Sequence, residues 1–165
     1  MNRRVFAAFV LLVCAQAAFA NPIIFIVRHA EKAAGPDAKD PDLSHPGLRR
    51  AEWLAATLKD AGISAVFATE FKRTQETAEP LARAAHLNVT VVPATDTNAL
   101  IAKLKDLQGN ALVVAHSNTI PEILKAFGVT TPITIGENDY TDLFVFSPGS
   151  PPSLARMRLA LESDD

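Results

Sequence analysis

Two histidines each follow an apolar run at the point where the run ends. Residues 23–27 lead directly into Arg28 and His29, and residues 111–115 lead into His116. Short unbroken apolar runs are typical of strands buried on both faces of a parallel sheet. Because open α/β sheets place their ligand sites beyond the carboxyl ends of such strands, we expect both histidines to face one site. Core packing does not require this pattern, so a functional interpretation is favoured.

The residue types at these positions suit an anion. Arg28 offers a planar, permanently charged guanidinium, and His29 can act as a nucleophile or base near neutral pH. Arg73 is predicted to lie in the first turn of a helix that begins near Lys72, where a guanidinium and helix N-terminal amides can face the same anion. A metal site would need converging carboxylates or more histidines, so no metal is predicted.

The segments that must position these residues alternate between predicted strands and helices. Apolar runs of strand length recur, and apolar residues at helical spacing fill the stretches between them. Predicted strands cover 23–27, 63–68, 88–92, 111–115, 143–146 and 154–161, and predicted helices begin near Ser44, Lys72, Thr95 and Thr119, with Gly62 and Gly128 ending two of them. The sequence therefore predicts a three-layer α/β/α sandwich with a mostly parallel sheet and an antiparallel hairpin near the C-terminus.

The first twenty residues have the layout of a secretory signal peptide. Arg3 and Arg4 form a positive start, residues 5–13 an apolar core, and residues 18–20 a small-residue cleavage site. The apolar core is too short to span a bilayer comfortably, so no stable membrane anchor is expected. We predict cleavage after Ala20 and a periplasmic or secreted protein with one domain over residues 21–165.

The predicted mature chain is mildly acidic and has no cysteine. Removing Arg3 and Arg4 from the 16 basic residues leaves 14 against 18 acidic ones, a net charge of −4. This balance gives no reason to expect binding to nucleic acid or to an anionic membrane. Cys14 lies in the signal segment, so the mature chain can form neither disulfides nor a thiolate metal site. No cofactor is predicted.

Four segments at this spacing resemble the histidine phosphatase superfamily, which has the phosphoglycerate mutase-like fold. The resemblance covers essentially the whole mature chain and is strongest to small, compact bacterial members that carry Arg-His-Ala-Glu-Lys. Each segment alone is a weak signal, but all four in order are specific. The segments are residues 27–32, residues 43–47, residues 67–69 with 73–78, and residues 113–118.

The resemblance implies a role for each of four residues. It makes His29 a nucleophile that is transiently phosphorylated, and Arg28, Arg73 and a cationic His116 the rest of a phosphate pocket. Two arginines and a histidine can neutralise a transferring phosphoryl group without a metal. The expected function is an exported, metal-independent phosphomonoester hydrolase of the histidine acid phosphatase type. Its substrate would be a small phosphomonoester or a phosphorylated macromolecule.

The acid that protonates the leaving oxygen is less obvious. Members of the family with Asp directly after the second histidine use that residue, but this chain has Ser117 there. Asp96, at the start of a predicted helix, is slightly favoured as the donor over Glu31, while Glu70 could be a structural partner of the helix arginine. Ser117 and Asn118 are expected to cap the following helix.

Three other functions compete with the phosphatase interpretation of the sequence. A domain that binds phosphorylated ligands or a partner, with weak catalysis, stays open because the acid is not obvious. A phosphomutase is less favoured, because the short chain before His116 leaves little material for a substrate lid. A serine hydrolase using Ser117 is disfavoured because the surrounding residues do not form a nucleophile elbow. Substrate specificity is expected to lie in the loops 33–44 and 131–140.

Overall fold

The computed structural model describes residues 21–35 and 39–159. The predicted signal segment and the last residues of the predicted final strand lie outside these ranges. The elements, in chain order, are β1 (Ile24–Arg28), α1 (His45–Leu58), β2 (Ile63–Ala68), α2 (Lys72–Ala84), β3 (Val89–Val91), α3 (Thr97–Lys105), β4 (Asn110–Ala115), α4 (Thr119–Ala126), β5 (Asp142–Ser147) and β6 (Ser153–Arg158). Within the described ranges, no helix is long and apolar enough to cross a membrane.

The six strands form one sheet in the order β3-β2-β4-β1-β5-β6. The first four strands along the chain pair in parallel, whereas β5 and β6 pair antiparallel at one edge. β1 and β4 are neighbours at the centre, with Arg28 opposite Ala115, and the backbone N–H of His29 donates to the Ala115 carbonyl at 3.0 Å. The predicted fold is confirmed, and this register places the two strand-end histidines side by side.

Helices cover both faces of the sheet, which explains the unbroken apolar strands. Ile26 packs with α3 and α4 on one face, whereas Val27 packs with α1 and α2 on the other. Successive side chains of a strand point to opposite faces, so a strand covered on both sides needs an apolar residue at every position. Both residues are buried. The apolar run of β1 therefore anchors the tip that carries Arg28 and His29.

The helix ends follow local sequence signals in most cases. The Ser44 hydroxyl accepts from the Gly47 backbone N–H at 3.2 Å at the start of α1, and Gly62 and Gly128 adopt positive φ angles of 62° and 86° just after α1 and α4. The expected cap of α4 was wrong. Asn118 makes no side-chain capping bond, and the Thr119 hydroxyl instead accepts from the His116 backbone N–H at 3.1 Å.

Candidate active site

A depression of about 350 Å³ lies at the carboxyl ends of the central strands. The structure brings together there all four residues predicted for a phosphate pocket. Two larger depressions, of about 550 and 510 Å³, lie around residues 128–133, so the chemistry of the lining, and not its size, identifies the site. The lining residues are Arg28, His29, Lys32, Phe71, Arg73, Ala94, Thr95, His116, Ser117, Asn118 and Thr119.

The two histidines lie beside each other because their strands are neighbours. Their ring centroids are 5.4 Å apart at an interplanar angle of 63°. Nδ1 of His29 lies 2.8 Å from the Ala30 carbonyl oxygen. A carbonyl oxygen can only accept, so this bond assigns the proton of the neutral ring to Nδ1 and leaves the lone pair on Nε2. His29 is thus held in the tautomer that a nucleophilic Nε2 requires.

A chain of hydroxyl groups orients the ring of His116. Nε2 of His116 lies 3.0 Å from the Thr69 hydroxyl, which lies 2.9 Å from the Thr74 hydroxyl. Thr74 in turn donates to the Phe71 carbonyl at 2.7 Å. The ring of Phe71 contacts the same imidazole edge to face, with centroids 5.4 Å apart. Thr69 and Phe71 lie in the turn between β2 and α2, and Thr74 lies in the first turn of α2. This segment therefore fixes the orientation of the His116 ring.

Arg28 is clamped by the segment that precedes β5. One terminal nitrogen of its guanidinium donates to the carbonyls of Gly136 and Glu137 at 2.8 and 2.7 Å. The guanidinium also lies over the ring of Tyr140, 4.5 Å from its centroid. Its Nε is buried and has no hydrogen-bond partner among the described residues. The side chain is therefore fixed in place, and its Nε donor is unpaired among these residues.

Arg73 is held in a similar way from the first turn of α2. Its guanidinium lies over the Phe71 ring, 4.2 Å from the centroid, and one terminal nitrogen lies 3.6 Å from Asp40. Its Nε is also buried without a partner within the described part of the chain. Leaving a buried donor unpaired is costly, typically about 1–3 kcal/mol or more for a charged group. Two such donors beside the histidines suit an oxyanion.

The protein lowers the pKa of both histidines. Burial, together with the charges of Arg28 and Arg73, lowers the pKa of His29 to about 4, although the Ala30 carbonyl opposes this shift. Burial and the charge of Arg73 lower the pKa of His116 to about 4 as well. Both imidazoles are therefore neutral at pH 7. We expected a cationic His116. In the surroundings that the protein itself provides, His116 is neutral instead, because burial lowers its pKa by more than the nearby carboxylate of Glu70 raises it.

Neither predicted proton donor lines the depression. The Glu31 carboxylate accepts from Arg50 at 2.6 to 3.0 Å. Burial raises the pKa of Glu31, but the Arg50 contacts outweigh it and the net pKa is lowered. Asp96 is exposed and caps α3 by accepting from the Ala99 backbone N–H at 3.0 Å. The structure thus gives each of these carboxylates a structural partner outside the site.

Several residues in or beside the site were given no individual role from the sequence. Lys32 lines the depression, and Thr69 and Thr74 form the hydroxyl chain behind His116; all three lie close in sequence to predicted site residues, which was a usable signal. Tyr140 ends the loop 131–140 predicted for specificity, but its contact with Arg28, more than a hundred positions away, had no signal in the sequence. Among the described residues, no group of three or more His, Cys, Asp or Glu side chains could hold a metal ion.

Comparison with known sequences bears on this site directly. Residues 24–96 match the sequence model of the histidine phosphatase superfamily, branch 1, and this segment contains Arg28, His29 and Arg73. The resemblance to the histidine phosphatase superfamily is confirmed. His116 lies beyond the matched segment, and the pairing of β4 with β1 brings it beside His29. A sequence search of curated proteins gave no match.

Solved structures share the fold over most of the chain. The protein histidine phosphatase SixA in complex with tungstate has a TM-score of 0.67 at 19% identity, covering 82% of this chain and 96% of that one. A mycobacterial glucosyl-3-phosphoglycerate phosphatase in complex with inorganic phosphate has a TM-score of 0.65 at 15% identity, covering 85% and 97%. At these identities the comparisons show a shared histidine phosphatase fold.

Proposed function

We propose that the protein is a metal-independent phosphatase that hydrolyses phosphomonoesters through a phosphohistidine on His29. One observation carries this proposal. The Nδ1–H of His29 is bound to a carbonyl, which leaves the Nε2 lone pair in a depression shared with the guanidinium groups of Arg28 and Arg73 and a second histidine. A nucleophile next to fixed positive charge is the arrangement that phosphoryl transfer needs.

The reaction would proceed in two displacements. In the first, the Nε2 lone pair of His29 forms a bond to phosphorus, the bond to the ester oxygen breaks, and that oxygen takes a proton as the alcohol leaves. In the second, a water attacks the phosphohistidine, the phosphorus–nitrogen bond breaks, and the imidazole regains its lone pair as phosphate departs. Arg28 and Arg73 would stabilise the charge on the equatorial oxygens in both steps.

His116 would share a proton with the bound phosphoryl group. Its imidazole is neutral at pH 7 in the surroundings that the protein provides. A phosphate dianion close to the ring favours the protonated form, because an opposite charge nearby raises the pKa of a histidine. The hydroxyl chain through Thr69 keeps the ring oriented whichever form is present.

The substrate class is proposed to include small phosphomonoesters and phosphorylated macromolecules. The fold is shared with a phosphatase of a phosphorylated sugar derivative and with a protein histidine phosphatase, which supports both. Export to the periplasm or the medium, after cleavage at Ala20, is proposed from the signal-like residues 1–20. The molecular mass of protein recovered from outside the cytoplasm would show both export and the loss of residues 1–20.

Turnover of an aryl phosphate tests the proposed activity. We expect the purified protein to hydrolyse p-nitrophenyl phosphate in the presence of a strong chelator. We expect His29→Ala to abolish turnover, whereas His45→Ala, at an exposed histidine on α1, should keep it. Loss of activity with chelator, or full activity of His29→Ala, would contradict the proposal. A folded protein that binds phosphate without turnover would favour the binding-domain alternative.

A further inference from the structure

We propose that Glu70 is the acid that protonates the leaving oxygen, an assignment that rests on the proposed phosphatase function. The carboxylates favoured from the sequence are bound away from the depression, since Glu31 accepts from Arg50 and Asp96 from the Ala99 backbone N–H, and neither partner lines it. Glu70 lies in the turn between β2 and α2, directly before Phe71, which lines the depression. It would therefore supply the proton that the departing alcohol needs.

The backbone on both sides of Glu70 is fixed against the site. Thr69, which precedes it, is buried and lies within hydrogen-bond distance of His116. Phe71, which follows it, lines the depression and contacts both His116 and Arg73 with its ring. The position of Glu70 relative to the pocket is thus set by two neighbours that both touch the pocket histidine.

The carboxylate itself is tied to the opposite wall of the depression. One oxygen of Glu70 accepts from the backbone N–H of Ala94 at 2.7 Å. Ala94 and Thr95 line the depression after β3. The carboxylate is also close enough to Arg73 and His116 for its charge to favour the protonated form of each. One oxygen is therefore anchored at the rim, and the second can carry a proton.

Other carboxylates near the site are held by cations. Asp40 pairs with Arg73 at 3.6 Å, and Asp42 pairs with Lys72 at 2.9 Å. A cation in direct contact favours the ionised carboxylate, which cannot donate a proton. Glu70 makes no ion pair of 4 Å or less with another described residue, and its hydrogen bond is to a neutral backbone N–H. The side chain is exposed, which suits an acid that meets a leaving group on its way to solvent.

The proton balance closes over the two displacements. As the phosphorus–oxygen bond breaks, its electron pair goes to the ester oxygen, which takes the Glu70 proton and leaves as the alcohol. The resulting carboxylate then accepts a proton from the water that attacks the phosphohistidine. The phosphorus–nitrogen bond breaks, His29 recovers its lone pair, and Glu70 is again protonated.

Leaving-group dependence in Glu70→Gln tests the assignment. The amide oxygen of glutamine can still accept from Ala94, so the variant removes the proton and keeps the anchor. We expect turnover of a simple alkyl phosphate, whose leaving group needs protonation, to fall about 10²–10⁴-fold. Turnover of p-nitrophenyl phosphate, whose leaving group departs as an anion, should fall much less. Glu70→Asp, which keeps a carboxyl group, should recover part of the alkyl phosphate activity.

Glu76→Gln is the matched control. Glu76 also accepts from a backbone N–H, that of Leu43 at 2.6 Å, but Leu43, unlike Ala94, does not line the depression, so both substrates should react at normal rates. Equal losses on both substrates in Glu70→Gln would overturn the assignment in favour of a positioning role through Ala94, and no loss on either would also overturn it. A wild-type protein that turned over neither ester would contradict the proposed function itself.

Discussion

The guanidinium groups of Arg28 and Arg73 each contact the protein through a terminal nitrogen and keep an Nε unpaired among the described residues. Arg28 uses a terminal nitrogen to bind the carbonyls of Gly136, Glu137 and Asp139, and Arg73 uses one to approach Asp40. Both keep a buried Nε that has no partner within the described residues. A lysine could supply the positive charge at either position. Its single ammonium could not bind the same protein groups and also present a separate N–H, because it is a point charge and not a planar fork.

Removing the Arg73 side chain should therefore lower phosphatase activity strongly. We expect Arg73→Ala to reduce kcat/KM about 10²–10³-fold, the usual cost of losing one preorganised electrostatic contact. Steady-state kinetics on p-nitrophenyl phosphate would measure this loss. Arg83→Ala is the control on the same helix, since Arg83 is exposed and pairs only at the surface with Glu52 and Glu79. Equal kinetics for both variants would contradict the assigned role of Arg73.

Thr77 joins the tip of β1 to the turn of α2 that carries Arg73. Its hydroxyl accepts from the Ala30 backbone N–H at 3.0 Å and donates to the Arg73 carbonyl at 2.6 Å, and the residue is buried. Thr77→Val keeps the shape and leaves that N–H unpaired, so we expect the free energy of unfolding to fall by about 1–3 kcal/mol.

Chemical denaturation would measure the effect of Thr77→Val. Thr57→Val is its control, because the Thr57 hydroxyl makes a similar bond to the Trp53 carbonyl in an exposed position. We expect the Thr57 variant to change the free energy of unfolding by less than about 0.5 kcal/mol. A Thr77 variant as stable as the Thr57 variant would show that this bond contributes little.

At the scale of elements, the start of α1 packs directly against the chain that leaves β1. A Cβ atom added to Gly47 would overlap the backbone carbonyl oxygen of Glu31. We expect Gly47→Ala to push α1 away from the tip of β1 and to lower the free energy of unfolding by about 1–3 kcal/mol. Thermal unfolding would report this change.

Gly35→Ala is the matched control for the helix contact. A Cβ atom at Gly35 would meet nothing within 4 Å, so the melting temperature should stay within a degree or two of that of the wild-type protein. If Gly47→Ala were equally neutral, the close approach of α1 to β1 would not constrain the structure.

The elements also show which features could be predicted from sequence. Strands and helices were predictable because apolar periodicity and capping residues act locally, as at Ser44 and Gly62. The meeting of His29 and His116 was predictable because adjacent parallel strands end at one edge. The pairing of Glu31 with Arg50 and the clamp on Arg28 were not, since both depend on side chains that the completed fold brings together.

At the scale of the whole molecule, two buried neutral histidines make stability depend on pH. Their pKa in the folded protein is about 4, whereas an unfolded histidine has a pKa of about 6.5. Between these values the unfolded chain binds more protons, so the free energy of unfolding rises with pH. This stabilisation is fully present above about pH 6.5 and is lost as the pH falls towards 4.

Denaturation curves across pH would measure this contribution. Each histidine should account for at most about 3–4 kcal/mol over the window, since one pKa unit corresponds to about 1.4 kcal/mol. We expect His29→Gln and His116→Gln each to flatten the dependence, and His45→Gln, at an exposed position, to leave it unchanged. A dependence that is the same in all three variants would place its origin in other groups.

The central claim is the covalent intermediate on His29, and rapid acid-free quenching followed by mass spectrometry tests it most directly. During turnover of p-nitrophenyl phosphate, we expect a peptide containing His29 to carry one added phosphoryl group that is lost on mild acid treatment. The same peptide from His29→Ala should carry none. A phosphoryl group on His116 instead, or turnover without any phosphorylated histidine under conditions that trap the intermediate, would contradict the account.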